Sequence, residues 1–506
     1  MSDDVSVSSV HGMQIALVAW LKRTPAIRRT FLRRSVLVAI AVAACLGASI
    51  GPAGARADDD PIQEEVSFQS HGLTLRGTVF IPRAAASGAR QPGIVLVHGA
   101  GPGPRSEYVS EAEAFARAGI VTLAFDKRTD GYSFMERDFS LLADDALAGV
   151  ETLRVRADVD PAQVGFWGFS EGAWVAPLAA AKSPDVAFLV TIGASGLDPL
   201  RQQTWYLGNR LRHRGVSGAF RDAVAQPGAL LMSDTGLFPE AGYDPVPVLE
   251  RLRLPVLAVW GEHDIQAAPA ESAAVFQRAL DRAGNQHATI RFVPGAGHNG
   301  HATTDGFDKV GGLVVGGKAL GALGPGYADV MTSWVQSVAA GHAPRSSVEP
   351  VPAQEDTSQA RSSGAWYEAA AVRYATLALL LIGFAGYPLT AWVGRRAESG
   401  RNPVRWPARW LSVTGFVAVV GTVIYLLCIF ATGGKGATAF VAGRTLPWLL
   451  LQICTCAALL AIAATAITWW RTRAQVSGAV RVRLALLILA GALFIPWALY
   501  WRLLLP

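Results

Sequence analysis

The hydrophobic pattern divides the chain into distinct regimes. Between residues 62 and 340, short β-rich apolar runs alternate with helical stretches. That alternation predicts a mostly parallel sheet flanked by helices. The expected strands are Leu73–Phe80, Gly93–Val97, Ile120–Phe125, Val164–Trp167, Phe188–Ile192, Val256–Trp260 and Thr289–Val293. A polar, Pro/Ser-rich stretch at 341–365 reads as a linker. Four apolar segments follow, near 374–393, 410–431, 446–468 and 484–501. Each has about the twenty residues needed to cross a bilayer.

Charge sharpens this division. The whole chain of 506 residues carries +6, with only 17% charged residues, against roughly 25% in an ordinary soluble domain. Residues 1–57 hold seven basic and two acidic residues (+5), and residues 366–506 hold thirteen and two (+11), leaving −10 for 58–365. A nucleic-acid binder would concentrate positive charge on its folded domain, and this body has the opposite sign. The positive charge instead flanks apolar segments, where it sets membrane topology. The first loop between spans carries Arg395, Arg396, Arg401, Arg405 and Arg409, the second only Lys435 and Arg444, the third Arg471, Arg473, Arg481 and Arg483. The first and third loops are therefore expected in the cytoplasm, and residues 58–365 outside it. Trp392, Trp410, Trp448, Trp469 and Trp470 stand near span ends, as in an interfacial belt. No Asp, Glu or His lies inside the spans. That favours an anchor over an ion-coupled transporter.

The N-terminus independently predicts export. Lys22, Arg23, Arg28, Arg29, Arg33 and Arg34 precede the apolar run Val36–Ile50, and Ala55-Arg56-Ala57 offers a cleavage site. Arg28-Arg29-Thr30-Phe31-Leu32 has the form of a twin-arginine signal. Val42-Ala43-Ala44-Cys45 has the form of a lipobox, which leaves lipidation at Cys45 as an alternative to cleavage. The other cysteines, Cys428, Cys454 and Cys456, lie in the spans, so the exported body must fold without disulfides.

Three stretches carry chemistry. Gly168-Phe169-Ser170-Glu171-Gly172 follows an apolar strand and opens a helical run. This is the context of a nucleophile elbow, with glycines where the turn is too tight for side chains. It aims the Glu171 N–H at a developing oxyanion. Val95-Leu96-Val97-His98-Gly99-Ala100-Gly101 runs a strand into a Gly-rich loop, which points to the Ala100 N–H as the second donor. His98 reads as a structural brace. Asp264 ends one later strand and His298 follows another. The order Ser170, Asp264, His298 supplies a nucleophile, an orienting acid and a base. His298, His301, Asp305 and Asp308 form the main rival cluster, for a metal. His298 already has a role and the spacing is not a helical pair. No metal or cofactor is expected, since phosphate-loop, CxxC and dinucleotide signatures are missing.

Together with His98-Gly99-Ala100-Gly101-Pro102-Gly103, Phe125-Asp126-Lys127-Arg128 and Tyr243-Asp244-Pro245, these motifs resemble the α/β-hydrolase superfamily. The branch is that of dienelactone hydrolases, acyl-CoA thioester hydrolases of the BAAT type and serine aminopeptidases. The resemblance spans roughly 62–340, and Thr129 and Ala173 depart from glycines frequent in relatives. It implies an α/β fold, with an export signal at 1–57, a hydrolase domain at 58–340, a cap around 196–247, a linker at 341–365 and a four-helix transmembrane domain at 366–506. The cap aromatics Trp205, Tyr206, Phe220, Phe238 and Tyr243 either shape a substrate site or pack the cap. The Gly-rich stretch 306–327 is either a lid or a loose insertion.

The expectation is a serine hydrolase in the inner membrane, facing the periplasm or exterior. It would cleave a small-molecule ester, thioester or amide through an acyl-serine. One alternative is an aminopeptidase on short peptides, with Glu171, Asp222, Asp234 or Glu240 holding the substrate amine. Another is a membrane sensor or scaffold with a ligand-binding hydrolase-like domain. The expected partners are the acyl or peptide substrate and the lipid bilayer, not nucleic acid.

Overall fold

The computed structural model describes residues 60–505, apart from 84–89, 134, 237, 360–364, 394–402, 438–439, 442 and 477. The export signal with Cys45 and the loop arginines Arg395, Arg396 and Arg401 lie outside the described residues. A large sheet organises the first part of the chain. Its strands are β1 (Ile62–Ser70), β2 (Leu73–Ile81), β3 (Gln91–Val97), β4 (Val121–Phe125), β5 (Val159–Phe169), β6 (Leu189–Ile192), β7 (Val256–Gly261) and β8 (Ala288–Val293). A hairpin, β9 (Leu313–Val315) and β10 (Lys318–Gly321), stands apart, and the short β11 (Ser347–Val348) returns to the sheet. The spatial order is β1-β2-β4-β3-β5-β6-β7-β8-β11. β2 runs antiparallel to both β1 and β4, and the neighbours from β4 onward are parallel. This is the α/β-hydrolase fold.

All seven expected strands form. β1 was not legible because Gln63, Glu64 and Glu65 make it polar, as suits an exposed edge. The turn into β2 places His71 at φ 48° and Gly72 at φ 76°, the sign at both positions that a two-residue hairpin turn needs.

Strand periodicity assigns the two faces of the sheet. Val95 and Val97 of β3 point into one apolar layer with α2 (Phe139–Arg154), α3 (Gly172–Lys182) and α8 (Pro269–Arg282). Ile94 and Leu96 point into the other, with α1 (Val109–Arg117) and α9 (Tyr327–Ala339). Between β6 and β7 the chain builds a helical cap. It comprises α4 (Pro199–His213), α5 (Ala219–Ala223), a π-helical turn at Val224–Gly228, α6 (Ala229–Asp234) and α7 (Val246–Leu249).

Four helices are long and apolar enough to cross a membrane: α10 (Ala370–Val393), α11 (Arg405–Ala431), α12 (Leu446–Thr472) and α13 (Gly478–Tyr500). A small hairpin, β12 (Phe440–Val441) and β13 (Arg444–Thr445), joins α11 to α12. The cap is seated on one end of this bundle. Leu207, Leu211, Val216, Phe220 and Val224 share one apolar cluster with residues of all four helices. Phe220 stacks on Tyr425 at 5.3 Å and lies 4.9 Å from Trp448. Arg214 donates to the carbonyls of Gly434, Lys435 and Ala437. Trp448, expected in an interfacial belt, is instead fully buried under the cap, whereas Trp392, Trp410 and Trp470 are exposed.

In the polar stretch after α9, the described residues 346–358 are tied to the rest of the chain. Ser347 and Val348 add to the edge of β8. Asp356 takes Arg212 at 2.5 Å and Arg221 at 3.0 Å, and Arg201 Nε donates to Ser358 at 2.7 Å. Its few apolar residues hide this, since the segment is held by ion pairs and hydrogen bonds rather than by burial.

Candidate active site

The Gly168–Gly172 turn is as tight as its glycines imply. Ser170 sits at φ 53°, a strained left-handed conformation for a residue with a side chain. A Cβ at Gly168 would lie 2.4 Å from the Gly172 carbonyl oxygen, and one at Gly172 would lie 2.2 Å from that of Val97. The Ser170 N–H is held by the Ile192 carbonyl at 2.9 Å, which fixes the elbow to β6.

Three strand ends converge on this serine. His298 Nε2 lies 2.9 Å from Ser170 Oγ, and its Nδ1 lies 2.9 Å from Asp264 Oδ2. The other Asp264 oxygen accepts the N–H groups of Gln266 at 2.7 Å and Ala267 at 2.9 Å. A buried carboxylate can only accept, so Nδ1 carries the proton, Nε2 is the acceptor and the serine hydroxyl donates to it. His298 and Asp264 are both buried. The seat of the imidazole depends on Gly193, at φ 57°. A Cβ there would stand 2.5 Å from the His298 carbonyl oxygen and 2.7 Å from Nδ1. Gly193 escaped the sequence reading because nothing near it in the chain signals that contact.

The two expected oxyanion donors are near this relay. Gly99 N–H donates to Tyr108 Oη at 3.1 Å and Gly101 N–H to Tyr132 Oη at 2.9 Å. Between them, the Ala100 N–H has no acceptor among the described residues, and neither does that of Glu171. His98 is buried below the loop, 4.5 Å from the Tyr108 ring and 5.6 Å from that of Phe125. Burial, with the Lys127 charge, pushes its pKa down to about 3, so the ring stays neutral.

A buried ionic network under the loop was not foreseen. The Glu171 side chain is almost wholly buried. One of its oxygens takes Lys127 Nζ and the Tyr132 hydroxyl (2.8 Å), and the other lies 3.1 Å from Arg137 Nε. Lys127 Nζ also donates to the Gly99 carbonyl at 2.8 Å and to Tyr132 Oη at 2.9 Å. Burial pulls the Lys127 ammonium below its ordinary range, and the Glu171 carboxylate opposes that. The network thus ties the elbow to the loop on both sides of Ala100. The Asp126-Lys127-Arg128 motif was visible in the chain. Its partners, Arg105, Glu171 and Asp145, are distant in sequence.

The remaining expected residues scatter. His301 pairs with Glu111 at 2.7 Å and takes the Leu320 and Gly321 carbonyls on its other nitrogen. Asp305 and Asp308 cap the turn at 303–308. The four residues of the metal alternative therefore do not converge. Residues 313–321 fold as the β9–β10 hairpin, whose turn places Gly316 and Gly317 at φ 58° and 77°. Of the cap aromatics, Phe238 places its ring 5.7 Å from the Arg137 guanidinium. Phe220 faces the four-helix bundle, Trp205 donates to the Asp356 carbonyl and Tyr243 packs on Phe139. Among the carboxylates considered for an amine, Glu171 is neutralised by Lys127 and Arg137, and Asp234 by Arg373.

Residues 110–310 match the prolyl oligopeptidase family model. The stretch spans α1 to the segment after His298, and includes the serine, acid and base positions. A polyketide transferase of Penicillium crustosum, claH, is 31% identical over 209 residues, covering 38% of this chain and 66% of that one. Esterase EstD of Thermotoga maritima is 28% identical over 227 residues, covering 40% and 53%. The chain thus spans between half and two thirds of the length of these relatives. Among solved structures, 2,6-dihydroxy-pseudo-oxynicotine hydrolase aligns with 17% identity and a TM-score of 0.42, covering 58% of this chain and 73% of that one.

Proposed function

We propose that the protein is a membrane-anchored serine hydrolase that cleaves an ester, thioester or small amide through an acyl-Ser170 intermediate. The observation that carries this reading is the unbroken relay from Ser170 through His298 to Asp264, beside two backbone N–H groups without acceptors among the described residues. Ser170 Oγ attacks the substrate carbonyl and gives its proton to His298 Nε2. Asp264 holds the ring's orientation and stabilises the resulting imidazolium. The N–H groups of Ala100 and Glu171 receive the oxyanion. Collapse expels the leaving group, which takes the proton back from His298. A water molecule then repeats the sequence on the acyl-serine, releasing the acid and free Ser170.

Replacing Ser170 with Ala should lower hydrolysis of p-nitrophenyl esters by at least about a thousandfold while leaving the protein folded. Undiminished turnover would refute the mechanism. Reaction of Ser170 with a fluorophosphonate probe separates an enzyme from a binding module, since only an activated serine is labelled. Parallel kinetics on acyl esters and aminoacyl amides decide between esterase and aminopeptidase. Ion pairing of Glu171 and Asp234 removes two of the four carboxylates considered for an amine.

The hydrolase domain is proposed to face the periplasm or cell exterior. Support comes from the arginines, since Arg405, Arg409, Arg471, Arg473, Arg481 and Arg483 cluster at the α10–α11 and α12–α13 connections. The cap contacts the opposite bundle end, where the α11–α12 connection carries two basic residues, Lys435 and Arg444, with Arg373 and Arg502 near the ends of α10 and α13. A reporter active only outside the cytoplasm, fused after Pro506, should function.

A further inference from the structure

The cap helix α4 carries two different faces. Leu207 and Leu211, one turn apart, are fully buried in the apolar cluster shared with the four-helix bundle. Gln202, Asn209 and His213 recur at i, i+7 and i+11, a spacing that places them together on another side of the helix. That side turns to the hydrolase domain. The Gln202 side-chain amide donates to the Gln266 carbonyl at 2.6 Å, and that of Asn209 to the Ile265 carbonyl at 2.9 Å. The His213 ring stacks on Phe307, with 3.7 Å between centroids and 15° between planes. Asp305 Oδ2 lies 3.9 Å from its Nδ1.

These partners belong to the segments that carry the acid and the base. Ile265 and Gln266 directly follow Asp264, whose Oδ1 accepts the N–H groups of Gln266 and Ala267. Phe307 belongs to the turn at 303–308. That turn begins where the loop around His298 closes, since the Thr303 N–H donates to the Gly295 carbonyl at 3.0 Å. The two segments also touch each other: a Cβ at Gly306 would lie 2.4 Å from the His263 carbonyl oxygen and 2.7 Å from Ile265 Cγ2. The end of α4 is fixed on its other side to the α11–α12 connection. Arg214, the residue after His213, donates to the carbonyls of Gly434, Lys435 and Ala437 at 3.2–3.3 Å. The Ser217 N–H donates to the Gly443 carbonyl at 2.9 Å.

We propose that α4 is a strut through which the four-helix bundle sets the catalytic acid and base, with Gln202, Asn209 and His213 as positioning residues. The proposal rests on the hydrolase reading of Ser170, His298 and Asp264. The acid sits on an irregular turn, closed by Ala268 at φ 47°, so no strand or helix fixes its peptide units. The two amide side chains of α4 do so instead. A peptide carbonyl held this way cannot rotate without leaving polar groups unpaired. The stack of His213 on Phe307 holds the far end of the base's loop in the same way from the same helix. Close-packed side chains transmit a shift rather than absorb it. Movement of the bundle end therefore reaches both partners of Ser170, where a misplacement of about 1 Å costs on the order of a hundredfold in rate. The bundle is then part of the catalytic framework and not only an attachment.

The test uses the full chain in maltoside micelles. Titration with a fluorophosphonate counts the reactive Ser170 sites, and turnover of a p-nitrophenyl ester is expressed per site. A merely structural role lowers the number of sites, whereas a positioning role lowers kcat per site with KM little changed. Asn209→Leu and Gln202→Met keep the side chains' size and remove the donors; each should lower kcat per site by about tenfold. His213→Ala should lower it too, and His213→Tyr, which keeps a ring on Phe307, should restore it. Arg214→Ala removes bonds to the bundle alone and should lower kcat per site from that side. Its side chain is on an exposed residue, so it serves if the variants within α4 do not fold. A kcat per site within about twofold of wild type in both amide variants, or in Arg214→Ala, would overturn the proposal. Hydrogen exchange in peptides covering 262–268 and 297–308 gives a readout without chemistry. Exchange there should be faster in Arg214→Ala than in wild type, and unchanged exchange overturns the coupling. An unreactive Ser170 in wild type would instead refute the hydrolase reading, and the exchange result would still stand.

Discussion

Lys127→Met keeps most of the side chain's volume but removes the ammonium that joins the elbow to the oxyanion loop. The substitution deletes three contacts at once, to the Glu171 carboxylate, the Tyr132 hydroxyl and the Gly99 carbonyl. Breaking a buried ion pair by removing one partner costs about 3–5 kcal/mol. Arg137 still lies 3.1 Å from Glu171, so the lower end applies, about 3 kcal/mol. For a domain of this class, each kcal/mol moves Tm by about 2–4 °C, giving a fall of roughly 6–12 °C. The kinetic effect is separate. Without the ammonium, the loop loses its tie on the Gly99 side of Ala100, and Tyr132 loses a donor on the other. Removal of one oxyanion donor lowers kcat by about 10²–10³; a displaced donor should therefore cost up to that, with KM little changed. Ester-hydrolysis kinetics and thermal unfolding of the purified protein read both effects. The double variant Lys127→Met/Glu171→Gln should recover part of the stability, because no carboxylate is then left short of a partner. If Lys127→Met alone keeps kcat within about twofold and Tm within about 2 °C, the network does not position the loop and the reasoning fails.

Two further predictions concern residues outside the relay. Gly193→Ala forces a Cβ against His298 at a left-handed backbone position. It should destabilise by about 1–3 kcal/mol and lower kcat by displacing the imidazole; unaltered kinetics would show that the ring has room to shift. His98 is held neutral, with its pKa at about 3 against the ordinary 6.5. The unfolded chain therefore binds its proton first, and stability falls as pH drops from about 6.5 toward 3. Each unit is worth about 1.4 kcal/mol, so His98 should account for about 2 kcal/mol of the loss between pH 6.5 and 5. Denaturant unfolding of wild type and His98→Phe at the two pH values checks this: the variant's loss should be smaller, and an equal loss would refute the assignment.

What could be read from the chain was what local sequence encodes. The seven strands announce themselves because each is a short apolar run bounded by turn residues, and Ser170 stands out because a tight turn needs its two glycines. Ser170, Asp264 and His298 could be named as neighbours because each follows the end of such a run, and in a parallel sheet those ends lie on one edge. The four helices long and apolar enough to cross a membrane needed only their length and composition. Tertiary structure decided whatever depends on which distant groups meet. Glu171 was expected for its backbone N–H and as one candidate to hold a substrate amine; that its carboxylate is instead buried against Lys127 and Arg137, at 44 and 34 residues' separation, has no local signature. Phe220 and Trp448 are ordinary aromatics in the sequence, yet together they join the cap to the four-helix bundle. Periodicity and turn chemistry are properties of neighbouring residues, whereas burial, pairing and cavities are properties of the packed whole.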